Sequence, residues 1–226
     1  MRMTFGEKVL GFYSELNLGD VLPEGVEILN PYQDPIAFGV CKSFYGKFYN
    51  DELKRFLILG INPGRYGAGI TGIPFTDPIK LETIFGIPNS FPKKGELSAD
   101  FIHQMITVFG GPQIFFSKFF INSVSPLGFI QAGKNLNYYD TPILETAVEP
   151  FIRSSMKKLC SLNIDPSVVF CLGEGANYKY LQKLNGKEKL FDRIIALAHP
   201  RFIMQYRRKR VNDYLDDYLQ KLNSVL

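Results

Sequence analysis

Four short runs of almost unbroken apolar residues punctuate the chain: Arg55-Phe56-Leu57-Ile58-Leu59, Lys118-Phe119-Phe120-Ile121, Ser167-Val168-Val169-Phe170-Cys171-Leu172 and Arg193-Ile194-Ile195-Ala196-Leu197-Ala198. Apolar runs of this length without polar alternation read as strands buried on both faces, the signature of a parallel sheet. Helical periodicity fills the intervals. Thr4 and Glu7 have capping-box spacing ahead of Val9, Leu10, Tyr13 and Leu16, which predicts an N-terminal helix. Short helices are expected over Asp77 to Phe85 and Asp100 to Phe109, a long one over about Pro142 to Leu162, and another opening at Gly173-Glu174-Gly175-Ala176-Asn177. Val211, Tyr214, Leu215, Tyr218, Leu219 and Leu222 fall at three-and-four spacing and predict a closing amphipathic helix. Pro23 to Tyr49, with its Asn30-Pro31 and Asp34-Pro35 pairs, reads as irregular chain covering an edge of the fold. The expectation is one α/β domain over 1–226, a three-layer sandwich whose central, mainly four-stranded parallel sheet is flanked by helices, with 1–50 packed on it.

Ligands of such sheets bind outside the carboxyl ends of the strands. Asn62, Asn122 and His199 each follow a predicted strand end closely, so one crevice should collect them. Taken singly, each is as well explained by a structural turn. The stretch Gly60 to Phe75 adds five glycines, at 60, 64, 67, 69 and 72, that give the backbone access to positive φ and close approach, with Pro63 and Pro74 restraining it. It has neither the Gly-Lys-Ser/Thr closure of a phosphate loop nor the Gly-x-Gly-x-x-Gly order of a dinucleotide site. His103, among Phe101, Ile102 and Ile106, reads as a partly buried helix histidine.

Composition narrows the classes. At 226 residues, 46% hydrophobic and 21% charged, the chain is of ordinary globular make-up. The net charge of +4 is mild, but Arg201 to Arg210 holds five basic residues and no acid, a local attraction for an anionic partner. Cys41, Cys160 and Cys171 are odd in number and lack metal-ligand spacing, and there are 2 histidines, so no metal or other cofactor is expected. The thiols are read as reduced. With Glu7 near the N-terminus, no apolar run of signal-peptide length and no stretch approaching a membrane span, the expectation is a cytoplasmic, monomeric protein without a membrane partner.

The order Gly60-Ile61-Asn62-Pro63-Gly64-Arg65-Tyr66-Gly67, followed by Thr71-Gly72-Ile73-Pro74-Phe75, resembles the first motif of the uracil-DNA glycosylase superfamily, and most closely its single-strand-selective monofunctional (SMUG-type) branch. His199-Pro200 resembles the second motif, and the resemblance runs from about Phe56 to Arg201. It implies a catalytic pair, Asn62 to position water and His199 to donate a hydrogen bond to uracil O2. It further implies a substrate-contacting set of Gly64, Ala68, Phe75 and Asn122, with Phe75 stacking on the base and Asn122 reading its N3–H and O4. Gly64 stands where uracil-specific relatives carry a tyrosine, which leaves room for a C5 substituent. The chain departs from the pattern at Arg65, which replaces a proline, and at Arg201, which replaces a serine. The asparagine-rich wedge of that branch is absent, and Arg201-Phe202-Ile203-Met204-Gln205-Tyr206 takes its place. Arg65, Arg201, Phe202, Arg207 and Arg208 are the expected DNA-contacting residues, although the basic run also suits a solvated helix face.

The implied activity is monofunctional hydrolysis of the N-glycosidic bond of uracil in single- or double-stranded DNA, a base-excision repair step that extends to C5-modified uracil or other deaminated bases. No lysine is placed to form a Schiff base. The alternatives are a weakly active or non-catalytic module of the same fold that binds nucleic acid or nucleotides, and an enzyme acting on free nucleosides.

Overall fold

The computed structural model describes residues 2–226. In chain order the elements are α1 (Phe5–Ser14), β1 (Val26–Leu29), α2 (Pro35–Phe48), β2 (Arg55–Gly60), α3 (Ala68–Thr71), α4 (Pro78–Thr83), α5 (Leu97–Val108), α6 (Pro112–Lys118), β3 (Phe119–Ser123), β4 (Gly128–Gln131), β5 (Lys134–Leu136), α7 (Pro142–Cys160), β6 (Ile164–Leu172), α8 (Ala176–Glu188), β7 (Arg193–Leu197), α9 (Pro200–Tyr206) and α10 (Val211–Asn223). The four apolar runs form one parallel sheet in the order β3-β2-β6-β7. β2 lies inside it, with Leu57, Ile58 and Leu59 fully buried. No helix among the described residues is long and apolar enough to cross a membrane.

Side-chain alternation along β3 separates the two helical layers. Phe120 points to the N-terminal layer, its ring centroid 5.2 Å from that of Phe5 and 5.7 Å from that of Tyr49. Phe119 points the other way, 5.2 Å from Phe115 and 6.0 Å from Phe170. Arg55 pins the amino end of β2. Its guanidinium is fully buried, bonds the carbonyls of Phe116 and Leu53 and the carboxylate of Asp51, and lies over the rings of Phe5 and Tyr49.

Three features depart from the sequence expectation. Pro23 to Tyr49 is not irregular: it holds β1 and the 14-residue α2, and Asp34-Pro35 is a helix start. Asp34 Oδ1 accepts from the backbone of Ile36 and Ala37 while Pro35 occupies the first helical position, a pairing that reads as a turn when spacing alone is considered. A second, antiparallel sheet, β1-β4-β5, also went unforeseen, because strands of 4, 4 and 3 residues are too short to show a period. Arg207 to Arg210 does not form a face of an α-helix. Arg208–Arg210 forms a separate 3₁₀ turn, and α10 starts at Val211.

Candidate active site

A cleft of about 390 Å³ opens at the carboxyl ends of the parallel strands. Its wall includes Asn62 and Gly64 from the loop after β2, Phe75 from the end of that loop, Glu96, Asn135 from β5, and His199, Arg201, Phe202 and Tyr206 around α9. Asn62 and His199, 137 positions apart in sequence, therefore meet as expected.

Each side chain is held by its local backbone. Asn62 Nδ2 donates to Leu136 O at 3.0 Å while its Oδ1 accepts from Tyr138 N at 3.0 Å, so the carboxamide cannot flip without losing both bonds. His199 is the N-cap of α9, and its Nδ1 accepts the Arg201 N–H at 3.1 Å. That bond fixes the neutral tautomer with the proton on Nε2. Burial, reinforced by the Arg201 charge, pushes the imidazole down to about 4. The ring is an uncharged donor at neutral pH.

Phe75 forms the aromatic floor. A Cβ on Gly60 would stand 2.9 Å from Phe75 Cζ, so the ring lies directly on the backbone at the end of β2. Phe75 has φ 52°, a left-handed conformation that costs a bulky residue energy, and His103 Nε2 holds its carbonyl at 3.1 Å. His103 is the buried helix histidine expected, and burial together with the Lys80 charge keeps it neutral, at about 4. Among the loop glycines only Gly72 takes a positive φ. Gly60 and Gly67 serve close approach instead.

Asn122 does not reach the cleft. It is 1% exposed, its Nδ2 donates to Tyr13 Oη at 3.1 Å and its Oδ1 accepts from Ser123 N at 2.7 Å. The cause is strand alternation: Asn122 pairs with Leu59 and shares the Phe120 face, which is covered by α1. Ser123, paired with Gly60, is on the opposite face, and its Oγ would lie 3.4 Å from a Cβ on Gly60, on the same side as the Phe75 ring. Ser123 is the strand-end residue on the Phe75 side; it is 6% exposed and does not line the cleft. Side-chain parity along β3, counted from the buried Phe119 and Phe120, puts Ser123 and not Asn122 on that side.

Two other expected contacts are placed elsewhere. Ala68 is buried at the start of α3 and forms no part of the cleft wall. Arg65 is tied down: its guanidinium bonds the Gly133 carbonyl and stacks 4.5 Å from the centre of the Tyr66 ring. At the rim, the half-exposed Phe202 carries Arg207 over its ring at 5.2 Å, and Tyr206, 61% exposed, stands beside it. Tyr206 was not among the expected contacts. Arg208 belongs to the basic surface beyond the rim, with Lys209 and Arg210, and Arg210 is paired with Asp213 at 2.8 Å.

The model of the uracil DNA glycosylase superfamily matches residues 47–223, most of the chain. The chain belongs to that superfamily. The crystal structure of wild-type SMUG2 from Pedobacter heparinus superposes with a TM-score of 0.95 over 99% of both chains, at 45% identity. The single-strand selective monofunctional uracil-DNA glycosylases of Rattus norvegicus and Mus musculus are 31% and 29% identical over 107 residues, which is 39% of this chain and 38% of each relative. The matched stretch therefore spans well under half the length of those mammalian relatives. These similarities place the chain in the SMUG-type branch.

The opposite faces of Asn122 and Ser123 give a direct test. Asn122→Ala removes the buried partner of Tyr13 and should lower the unfolding free energy by about 1 to 3 kcal/mol, measured by denaturant titration. Ser123→Ala should change stability by less than about 0.5 kcal/mol while weakening excision. The reverse pattern would place Asn122 in the cleft.

Proposed function

We propose that this chain is a monofunctional DNA glycosylase that hydrolyses the N-glycosidic bond of uracil extruded from DNA. The observation that carries the reading is the cleft itself. A locked carboxamide, an aromatic floor and an imidazole whose only free nitrogen bears a proton converge on a space large enough for a base.

Breaking the bond leaves a sugar with oxocarbenium character and a uracil anion, so the enzyme must stabilise negative charge at O2 and supply water at C1′. His199 Nε2–H is suited to O2. Being neutral, it strengthens its hydrogen bond as charge develops without having to give up its proton. Asn62 orients the water, since its amide is pinned by Leu136 and Tyr138 and a carboxamide is too weak a base to ionise it. Phe75 offers its free face for stacking, an interaction worth about 1 to 3 kcal/mol per base. Ser123, which both donates and accepts, suits the base edge that Asn122 was expected to read. Departure of the anion with water attack gives an abasic site and leaves the strand intact.

The rim supports DNA as the partner. Phe202, Tyr206 and Arg207 form an exposed aromatic and cationic ridge beside the catalytic histidine, shaped to fill the gap left by an extruded base and to meet phosphate. Arg201, at the first turn of α9, joins the cleft to that ridge. We read the protein as a monomer and as cytoplasmic, the latter in keeping with three free cysteines whose thiols burial pushes up to about 12.

Incubated with chelator on uracil-containing oligonucleotides, the protein should generate sites that break only after alkali. His199→Ala should slow single-turnover excision about 100- to 1000-fold with DNA affinity nearly unchanged. Because His199 acts in its neutral form and its proton affinity is depressed, the His199-dependent rate should hold as pH falls through the ordinary imidazole range and decline only toward about 4. Strand cleavage without alkali, or equal losses of rate and affinity, would contradict the mechanism.

Truncating the ridge should hurt duplex more than single-stranded substrate, because only the duplex has a gap to fill. Phe202→Ala and Arg201→Ala are each expected to lower the duplex to single-strand rate ratio by about tenfold, and Arg207→Ala to flatten the salt dependence of binding. An unchanged ratio would show that the wedge lies elsewhere.

A further inference from the structure

The cleft contains a carboxyl group that the proposed chemistry leaves without a task. Glu96 precedes α5 and is placed by its backbone, since Glu96 N donates to Asp77 Oδ2 at 3.0 Å. Its side chain turns into the cleft and rests on the glycine loop. A Cβ on Gly67 would collide with Glu96 Oε2, and a Cβ on Gly64 would stand 3.6 Å from Oε1. Among the described residues, neither carboxyl oxygen accepts a hydrogen bond or pairs with a cation. The carboxyl is half-buried and open to the cleft, so its oxygens are free to meet a ligand there.

Asn135 supplies the second half of the arrangement. Its Oδ1 accepts from Arg65 N at 3.1 Å, and its Nδ2 would stand 3.4 Å from the same Cβ on Gly64. The missing side chain of Gly64 therefore leaves a niche in the cleft wall, bounded by a free amide donor and a free carboxyl. Uracil has three hydrogen-bonding groups, O2, N3–H and O4. In the proposed reading His199 and Ser123 serve them, and apart from N1, which carries the sugar, the rest of the ring is carbon.

We propose that Glu96 is a specificity-determining residue: with Asn135 it receives, in the niche over Gly64, a hydrogen-bonding group that the extruded base carries beyond those of uracil. Two chemistries meet that description, the ring nitrogen N7 of a deaminated purine and a hydroxyl on a C5 substituent of a pyrimidine. They make opposite demands. N7 only accepts, so Glu96 must donate and carry its proton, whereas a hydroxyl can donate to an ionised carboxylate. Burial, with the neighbouring charge of Asp77, pushes the carboxyl up to about 7, against the opposing pull of Arg201 and Lys80 and with a further push from Asp100. Both states are accessible near neutral pH.

This inference rests on the proposed glycosylase reading, and the test separates the two. Single-turnover rates would be measured on oligonucleotides bearing uracil, hypoxanthine or 5-hydroxymethyluracil, for wild type, Glu96→Ala, Glu96→Gln and Gly64→Ala. Gly64 has no positive φ, so alanine fits its backbone and fills the niche with one methyl group. At least one base with the extra group should be excised by wild type. Glu96→Ala and Gly64→Ala should slow that base by at least about tenfold more than they slow uracil, the effect of one hydrogen bond. Glu96→Gln, which keeps a donor and an acceptor, should largely restore it. Loss of the wild-type preference when pH is raised to about 8.5 assigns the niche to purine N7, and its persistence assigns the niche to the hydroxyl. Wild-type excision of uracil alone, or equal slowing of all bases by both variants, would overturn the role of Glu96 and leave the glycosylase reading standing. Failure to excise uracil would sink the glycosylase reading first.

Discussion

The parallel register of β2 between β3 and β6 is the constraint on which the site depends. Gly60 pairs with Ser123, and the pairing continues past the strand ends, as Val124 N donates to Gly60 O at 3.0 Å and Ser125 N to Ile61 O at 3.0 Å. On the other side Asn177 Nδ2 donates to the same Gly60 carbonyl, and Gly173 N donates to Leu197 O at 2.7 Å, tying the exits of β6 and β7 together. Four strands thus finish at one level, and the residues immediately beyond them have no freedom to be elsewhere. A register slip of one residue would exchange Ser123 for Asn122 and turn the serine into the aromatic layer.

On that frame the chemistry is built from nearly uncharged groups. His199 is neutral because it is buried beside Arg201 and its Nδ1 is spent on the Arg201 backbone. Asn62 is neutral by nature, and Phe75 is apolar. Positive charge lies at the mouth of the cleft, on Arg201 and the residues beyond it, where a polyanion can neutralise it. A reaction whose product is an anion gains from such an arrangement, because a hydrogen bond in a low-dielectric cleft acts most strongly on the state in which charge has appeared. The left-handed backbone of Phe75, held by the carbonyl bond to His103, keeps the aromatic floor on Gly60 while the loop around it approaches the ligand.

The parallel sheet was legible because its strands are buried on both faces, and that pattern needs no context. The meeting of Asn62 with His199 followed from topology alone. Four things were hidden for distinct physical reasons. Asp34-Pro35 is both a turn signal and a helix start, and what decides between them is the tertiary burial of Phe44, Tyr45 and Phe48. The second sheet has three strands of 4, 4 and 3 residues, too short for alternation to register as a period. Asn122 was expected in the cleft from its place after a strand end and from the resemblance, whereas the side that a strand residue faces is set by parity, which places it under α1. Glu96 gave no signal at all, since its importance comes from contact with Gly64 and Gly67, about thirty positions earlier in the chain.

The most direct test is a crystal structure with DNA containing a non-hydrolysable, 2′-fluorinated deoxyuridine. The uracil ring should lie on Phe75, with His199 Nε2 at hydrogen-bond distance from O2, Ser123 Oγ on the N3–O4 edge and a water held by Asn62 near C1′. A base bound outside this cleft, or one contacted by Asn122 after a shift of β3, would contradict the claim that strand register creates the site.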